Sequence, residues 1–116
     1  MITGEDRFLG YSLMMGARAA LIGMGAALTD LQAALLRGYA ARDYATFFRV
    51  AAVCDAFAAT TFAEPVEGYV RRMLWALAAD DVIPDDACDD PWGPSLPPVE
   101  REAVRRAVRD ARAAPT

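Results

Sequence analysis

The sequence predicts a mainly α fold, with a short strand–helix–strand unit over residues 1–28 and a helical region over residues 29–116. Three observations predict it. Apolar residues recur at helical spacing through Leu31–Gly38, Phe47–Thr61, Val66–Leu77 and Ala103–Ala111. Two apolar runs, Met1-Ile2-Thr3 and Ala19-Ala20-Leu21-Ile22, are too short for helices and lie beside glycines. The chain has 116 residues and is 55% hydrophobic, which suits one packed domain and lies far from the disordered class.

Met1-Ile2-Thr3 is the first strand, and Gly4-Glu5-Asp6 places acids where a helix N-terminus welcomes them. Arg7 to Met15 reads as a helix, with Gly16 as its C-terminal stop. Ala19–Ile22, between Arg18 and Gly23, reads as a strand buried on both faces. Thr29 or Asp30 caps the next helix, which runs to about Ala41. Asp43 is the following N-cap, for a helix from Tyr44 to Phe62 whose stripe is Phe47, Val50, Cys54, Phe57 and Thr61. Pro65 suits the first position of a third helix, lined by Val66, Tyr69, Val70, Met73, Leu74 and Leu77. Residues 80–97 hold four prolines and six aspartates, a stretch too long for a routine connection, so it wraps the fold or forms a functional loop. The last helix runs from Pro98 to about Ala113. Its glutamates come early and its arginines late, as the helix dipole favours, and its stripe is Ala103, Val104, Ala107, Val108 and Ala111.

Composition narrows function. A net charge of −4 gives the chain no general attraction to nucleic acid, and no nucleic-acid partner is expected. There is no histidine, so a Ser-His-Asp or Cys-His arrangement is excluded. All twelve basic residues are arginine, and lysine is absent. With 25 alanines in the chain, a GC-rich coding bias explains that absence as readily as function does. Phe8–Leu28 approaches the length of a membrane span, but Arg18 near its middle and two changes of periodicity argue against membrane insertion. No basic n-region precedes the apolar segments, so the expected setting is cytoplasmic, with Cys54 and Cys88 reduced.

The order Thr3-Gly4-Glu5-Asp6, then Gly16-Ala17-Arg18-Ala19-Ala20-Leu21-Ile22, then Phe62-Ala63-Glu64-Pro65 resembles the C-terminal portion of the dihydrodipicolinate synthase and N-acetylneuraminate lyase family. The correspondence runs from residue 2 to about residue 78, with a looser tail. It departs from the family's pattern at Gly25-Ala26, Val66-Glu67 and Asp89-Asp90-Pro91. The resemblance implies the last two strands of a (β/α)8 TIM barrel followed by a helical bundle. It implies Schiff-base aldolase or lyase chemistry on pyruvate or another α-keto acid, with no cofactor and no metal. The amine would come from a lysine on an earlier strand. In this chain the resemblance assigns no catalytic side chain. It assigns two backbone positions to the substrate pocket: Gly4, at the end of the seventh strand, and Leu21, whose carbonyl faces the site on the eighth. It also implies a barrel-forming, lysine-bearing partner chain, making this chain a split subunit that completes the barrel and the oligomer interface. The alternatives are a non-catalytic helical oligomerisation module derived from that family, and a truncated piece of a full-length enzyme.

Other patterns carry less. Gly23-Met24-Gly25 is half a dinucleotide fingerprint and is better read as a tight turn beside a packed helix. The aspartates at 80, 81, 85, 86, 89 and 90 lack the calcium-loop spacing and read as a solvated acidic loop. Trp92 is expected to plug a groove between helices. Arg71-Arg72 and the late arginines read as exposed helix faces.

Overall fold

The computed structural model describes residues 1–115. Two short strands, β1 (Ile2–Thr3) and β2 (Ala19–Ala20), flank helix α1 (Leu9–Met14). Four longer helices follow: α2 (Thr29–Ala40), α3 (Tyr44–Thr61), α4 (Tyr69–Ala79) and α5 (Pro98–Ala113). Single 3₁₀ turns occupy Gly23–Ala26, Val66–Gly68 and Asp85–Ala87. The protein is therefore mainly helical, with one two-stranded parallel sheet in which Ile2 pairs with Ala19 and Thr3 with Ala20.

Local chemistry explains most boundaries. Gly16 ends the first helical segment at φ +103, a conformation that glycine reaches without strain. Asp43 caps α3 by accepting the Thr46 N–H at 3.2 Å, and hydrogen bonding to the Thr46 side chain and then to that N–H lowers its carboxyl pKa. The turn between α2 and α3 closes through Arg42 in the left-handed region, with Asp43 N donating to Gly38 O at 2.9 Å. Gly38 lets the two helices approach closely, because a Cβ would sit a tight 3.3 Å from the Phe47 backbone nitrogen. Pro98 stands at the start of α5, where its missing N–H removes no helical bond.

One continuous core joins both parts of the chain. Leu9 and Leu13 of α1 bury together with Leu35, Phe47, Val50, Phe57, Ala76, Val104 and Val108. On α3 the buried positions are Phe47, Val50, Cys54, Phe57, Ala58 and Thr61, the expected stripe. At the ends of the bundle Arg112 donates to Asp80 and Asp30, tying α5 to α4 and α2. The Arg112 guanidinium holds the Asp30 carboxyl below its usual range.

Five expectations need correction besides the α2 cap, where Leu28 precedes the helix and neither Thr29 nor Asp30 makes a side-chain capping bond. The Glu5-Asp6 pair does not sit at the N-terminus of α1, which begins only at Leu9 after Phe8. Glu5 instead accepts the Arg7 N–H at 2.8 Å, and Asp6 accepts the Met24 N–H at 2.7 Å, so turn bonding takes both carboxylates. The second strand is shorter than Ala19–Ile22 and is not buried on both faces, since Leu21 is 84% exposed.

The third correction is to α4, which begins after a 3₁₀ turn and is rotated: Met73 is buried and Tyr69, Leu74 and Leu77 pack against the core as expected, but the most buried positions lie to one side of that stripe. Gly68, Arg72, Met73, Trp75, Ala76 and Ala78 are buried, while Val66 and Val70 are exposed. Capture of Arg72 turns the helix this way. Its guanidinium is fully buried, donating to Glu100 at 2.9 Å and to the carbonyls of Ala63 at 2.8 Å and Pro65 at 3.0 Å, with longer bonds to Thr61 and Glu64. A buried guanidinium is tolerated when its donors meet acceptors, and here the α3–α4 connection, Ala63 to Pro65, and the last residue of α3 supply the carbonyls. Fourth, and for the same reason, Arg72 does not lie on an exposed helix face. Fifth, Trp92 plugs no groove within the chain: it is 94% exposed.

No single helix among the described residues is long and apolar enough to cross a membrane. The apolar stretch Phe8–Leu28 is divided by Gly16, β2 and a 3₁₀ turn.

Candidate functional site

The structure brings Gly4 and Leu21, the two positions assigned to a substrate pocket, side by side at the C-terminal ends of the paired strands. Parallel pairing places them there. Leu21 N donates to Thr3 O at 2.9 Å, continuing the ladder past Ala20. A Cβ built on Gly4 would lie 3.9 Å from the Leu21 carbonyl oxygen, an ordinary contact distance that places the two positions next to each other. Both residues are exposed.

The surrounding loops are tied down by polar side chains. Thr3 Oγ1 donates to Ser12 Oγ at 3.1 Å and accepts the Glu5 N–H at 3.1 Å, which fixes the turn after β1 against α1. The Asp6 bond to Met24 N fastens that turn to the loop after β2. Gly23 stands between them, where a Cβ would come within 3.0 Å of the Tyr69 ring and 3.7 Å of Asp6 Oδ1. The expected tight turn with close packing is therefore present at Gly23–Ala26, in 3₁₀ form.

Behind that loop Gln32 is buried, and its Nε2 donates to Met24 O at 2.8 Å and Ala27 O at 2.7 Å. Its Oε1 is buried without a hydrogen-bond partner among the described residues, facing Gly25. An unpaired buried acceptor is uncommon in a finished structure. Leu28 follows in the left-handed region at φ 52 while remaining buried. That conformation is costly for a leucine and is held by the Leu31 and Gln32 N–H groups, both directed at Leu28 O.

The groups available here are those of exposed backbone at the strand ends. Carbonyl and amide groups at the strand ends can orient a carboxylate or an imine, but no amine or thiol stands among them. The two thiols lie elsewhere and are poor nucleophiles. Burial pushes the Cys54 thiol up to about 12 and raises that of Cys88, which packs 3.5 Å from Leu74 O. Both cysteines are free. Among the described residues no group of three potential metal ligands forms a cluster, and the aspartates of residues 80–90 spread along the loop. Asp85 pairs with Arg101, Asp80 pairs with Arg112, and Asp90 is buried in its own turn.

The residues that sequence reasoning missed are Arg72 and Gln32, both polar and both buried. A signal existed for Arg72. It sits within the apolar run of α4, eleven residues after the end of α3, where unsatisfied carbonyls must find donors. Gln32 gives no comparable signal, because its partners depend on the path of the preceding loop.

No family model, curated protein or solved structure matches this chain.

Proposed function

We propose that the chain is a split subunit, or C-terminal part, of a dihydrodipicolinate synthase-like enzyme that acts on pyruvate or a related α-keto acid. In this reading β1 and β2 are the last two strands of a (β/α)8 barrel, and the helices build the oligomer interface. The single observation that carries the reading is the parallel β1–α1–β2 unit, with Gly4 and the Leu21 carbonyl adjacent at its C-terminal end. Parallel strands joined by a helical crossover belong to sheets covered on both faces, and barrel enzymes place their sites at strand C-termini.

The division of labour follows from the residues. A lysine amine on the partner chain adds to the keto carbon, a C=N bond forms, and water leaves. The Leu21 carbonyl accepts a hydrogen bond from the bound species, and Gly4 leaves room for it to approach the backbone. This chain supplies no proton-transferring or nucleophilic side chain, in keeping with its lack of lysine and histidine.

A second reading has its own observation. Helix α1 and its flanks expose Phe8, Tyr11, Met14 and Met15, an apolar surface that suits a non-catalytic helical oligomerisation module.

Native purification followed by pyruvate and borohydride tests the first reading. Borohydride delivers hydride to the imine carbon and fixes the adduct as a secondary amine. The expected result is a co-purifying chain that carries the reduced adduct on a lysine. A chain that purifies without a companion, with no adduct formed, overturns the reading.

A further inference from the structure

We propose that the cleft between α1, α2 and the start of α3 binds a carboxylate with an apolar body, its charge held by Arg18 and Arg42. Arg18 precedes β2, at the end of the paired strands away from Gly4 and Leu21. The proposal therefore stands whether or not those two residues border a keto-acid site.

The cavity is about 540 Å³, a size that suits a small organic ligand. Leu13 of α1, with Leu36 and Tyr39 of α2, gives it an apolar wall, and Tyr44 lines the α3 side. Arg18, between α1 and β2, and Arg42, in the α2–α3 turn, bring the charge. Tyr39 and Tyr44 also line an adjoining cleft of about 290 Å³ with Met14 and Phe48, so the apolar surface runs on beyond the arginines.

The charge of this cleft is unanswered within the chain. Most of the arginines spend their guanidinium groups on carboxylates or carbonyls. Arg18 and Arg42 make no side-chain hydrogen bond and no ion pair among the described residues. No carboxylate lines the cleft with them. Elsewhere the balance differs: Arg106 stands with Asp110 in the α3–α5 groove, and Arg71 and Arg101 share a cleft with Asp85, Asp86 and Asp89. In a chain of net charge −4, two unpaired arginines beside an apolar wall mark a place for an anion.

The backbone decides which anion. The N–H groups of Ala41, Arg42 and Asp43 donate to Arg37 O at 2.9 Å, Tyr39 O at 3.0 Å and Gly38 O at 2.9 Å. Those amides are therefore not free to form a nest for a phosphate. The same bonds occupy carbonyls at the end of α2 that would otherwise repel an anion. A guanidinium fork meets a carboxylate with two parallel hydrogen bonds, and the apolar wall takes an alkyl or aryl body.

Calorimetric titration of the full chain with decanoate tests this. The expected result is saturable binding that salt weakens, with decanol and acetate each binding at least about 10-fold more weakly. Arg18→Gln and Arg42→Asn should each weaken decanoate binding by about 10-fold or more. Both positions are exposed, and asparagine tolerates the left-handed backbone of residue 42, at φ 59, so circular dichroism stays unchanged. Arg37→Gln, at an exposed position of α2 outside the cleft, should leave binding as it is. Absence of saturable decanoate binding overturns the proposal. So does decanol or acetate binding as tightly as decanoate, an equal loss in Arg37→Gln, or an affinity unmoved by both cleft variants.

Discussion

The helical region, residues 29–115, and the N-terminal unit, residues 1–28, dispose of their surfaces in opposite ways. In the helical region the long helices bury one shared stripe, and even a fully buried arginine finds acceptors for its donors. In the N-terminal unit Leu9 and Leu13 join that core, but Ile2 is 69% exposed, and the two-stranded sheet has unpaired outer edges. Gln32, reaching back to the loop after β2, keeps an acceptor without a donor. The same chain thus holds a region whose helices share one core and one whose strands keep open edges. The difference shows that helices can satisfy their backbones alone, whereas parallel strands satisfy theirs only through neighbours.

The largest expected effect lies in the helical region. Arg72→Ala leaves Glu100 and four carbonyls without their donor, and it should lower unfolding free energy by about 3–5 kcal/mol in denaturant titrations. A loss of less than about 1 kcal/mol, the level of an exposed ion pair, would break the picture of Arg72 as the link between the α3–α4 connection and α5.

Next comes a paired substitution that sets the two regions directly against each other. Leu35→Ala empties a fully buried site and should cost about 2–5 kcal/mol. Leu21→Ala, at an exposed strand end, should stay within about 0.5 kcal/mol in the isolated chain. Equal losses at the two positions would mean that β2 is already covered.

The smallest effect concerns Asp55. Burial raises its carboxyl pKa, with Arg7 partly opposing. A folded-state pKa above the unfolded value means that the ionised carboxylate destabilises the fold at neutral pH. That penalty disappears as pH falls below the unfolded carboxylate range. Asp55→Asn should therefore raise the melting temperature at pH 7 and leave it nearly unchanged in acid, a dependence that paired melting curves would reveal.

Much of the helical region is legible in the sequence, because helical periodicity and caps act locally. The α3 stripe, the Asp43 cap, the Gly16 stop and the α5 boundaries all follow from residues within a turn or two. The inward face of α4 is not legible that way, since it depends on the Arg72 guanidinium reaching carbonyls of the α3–α4 connection. Trp92 defeats the habit of burying large aromatics, because a buried Asp90 and the clamp of Arg71 hold its turn away from the core. At the candidate site, the adjacency of Gly4 and Leu21 follows from the strand–helix–strand order. The Asp6–Met24 and Gln32 bonds that shape its loops arise only once the chain has folded.

Amide hydrogen exchange on the isolated chain tests the contrast between the two regions most directly. Protection should peak in the middle of α3, around Val50, Cys54 and Ala58, and reach the free energy of global unfolding there. The strand amides of Arg18 and Leu21, bonded to Met1 O and Thr3 O, should exchange through local opening at far lower free energy. Equal protection of Arg18, Leu21 and Ala58 in the isolated monomer would contradict the account, because it would mean that the N-terminal strands need nothing beyond this chain.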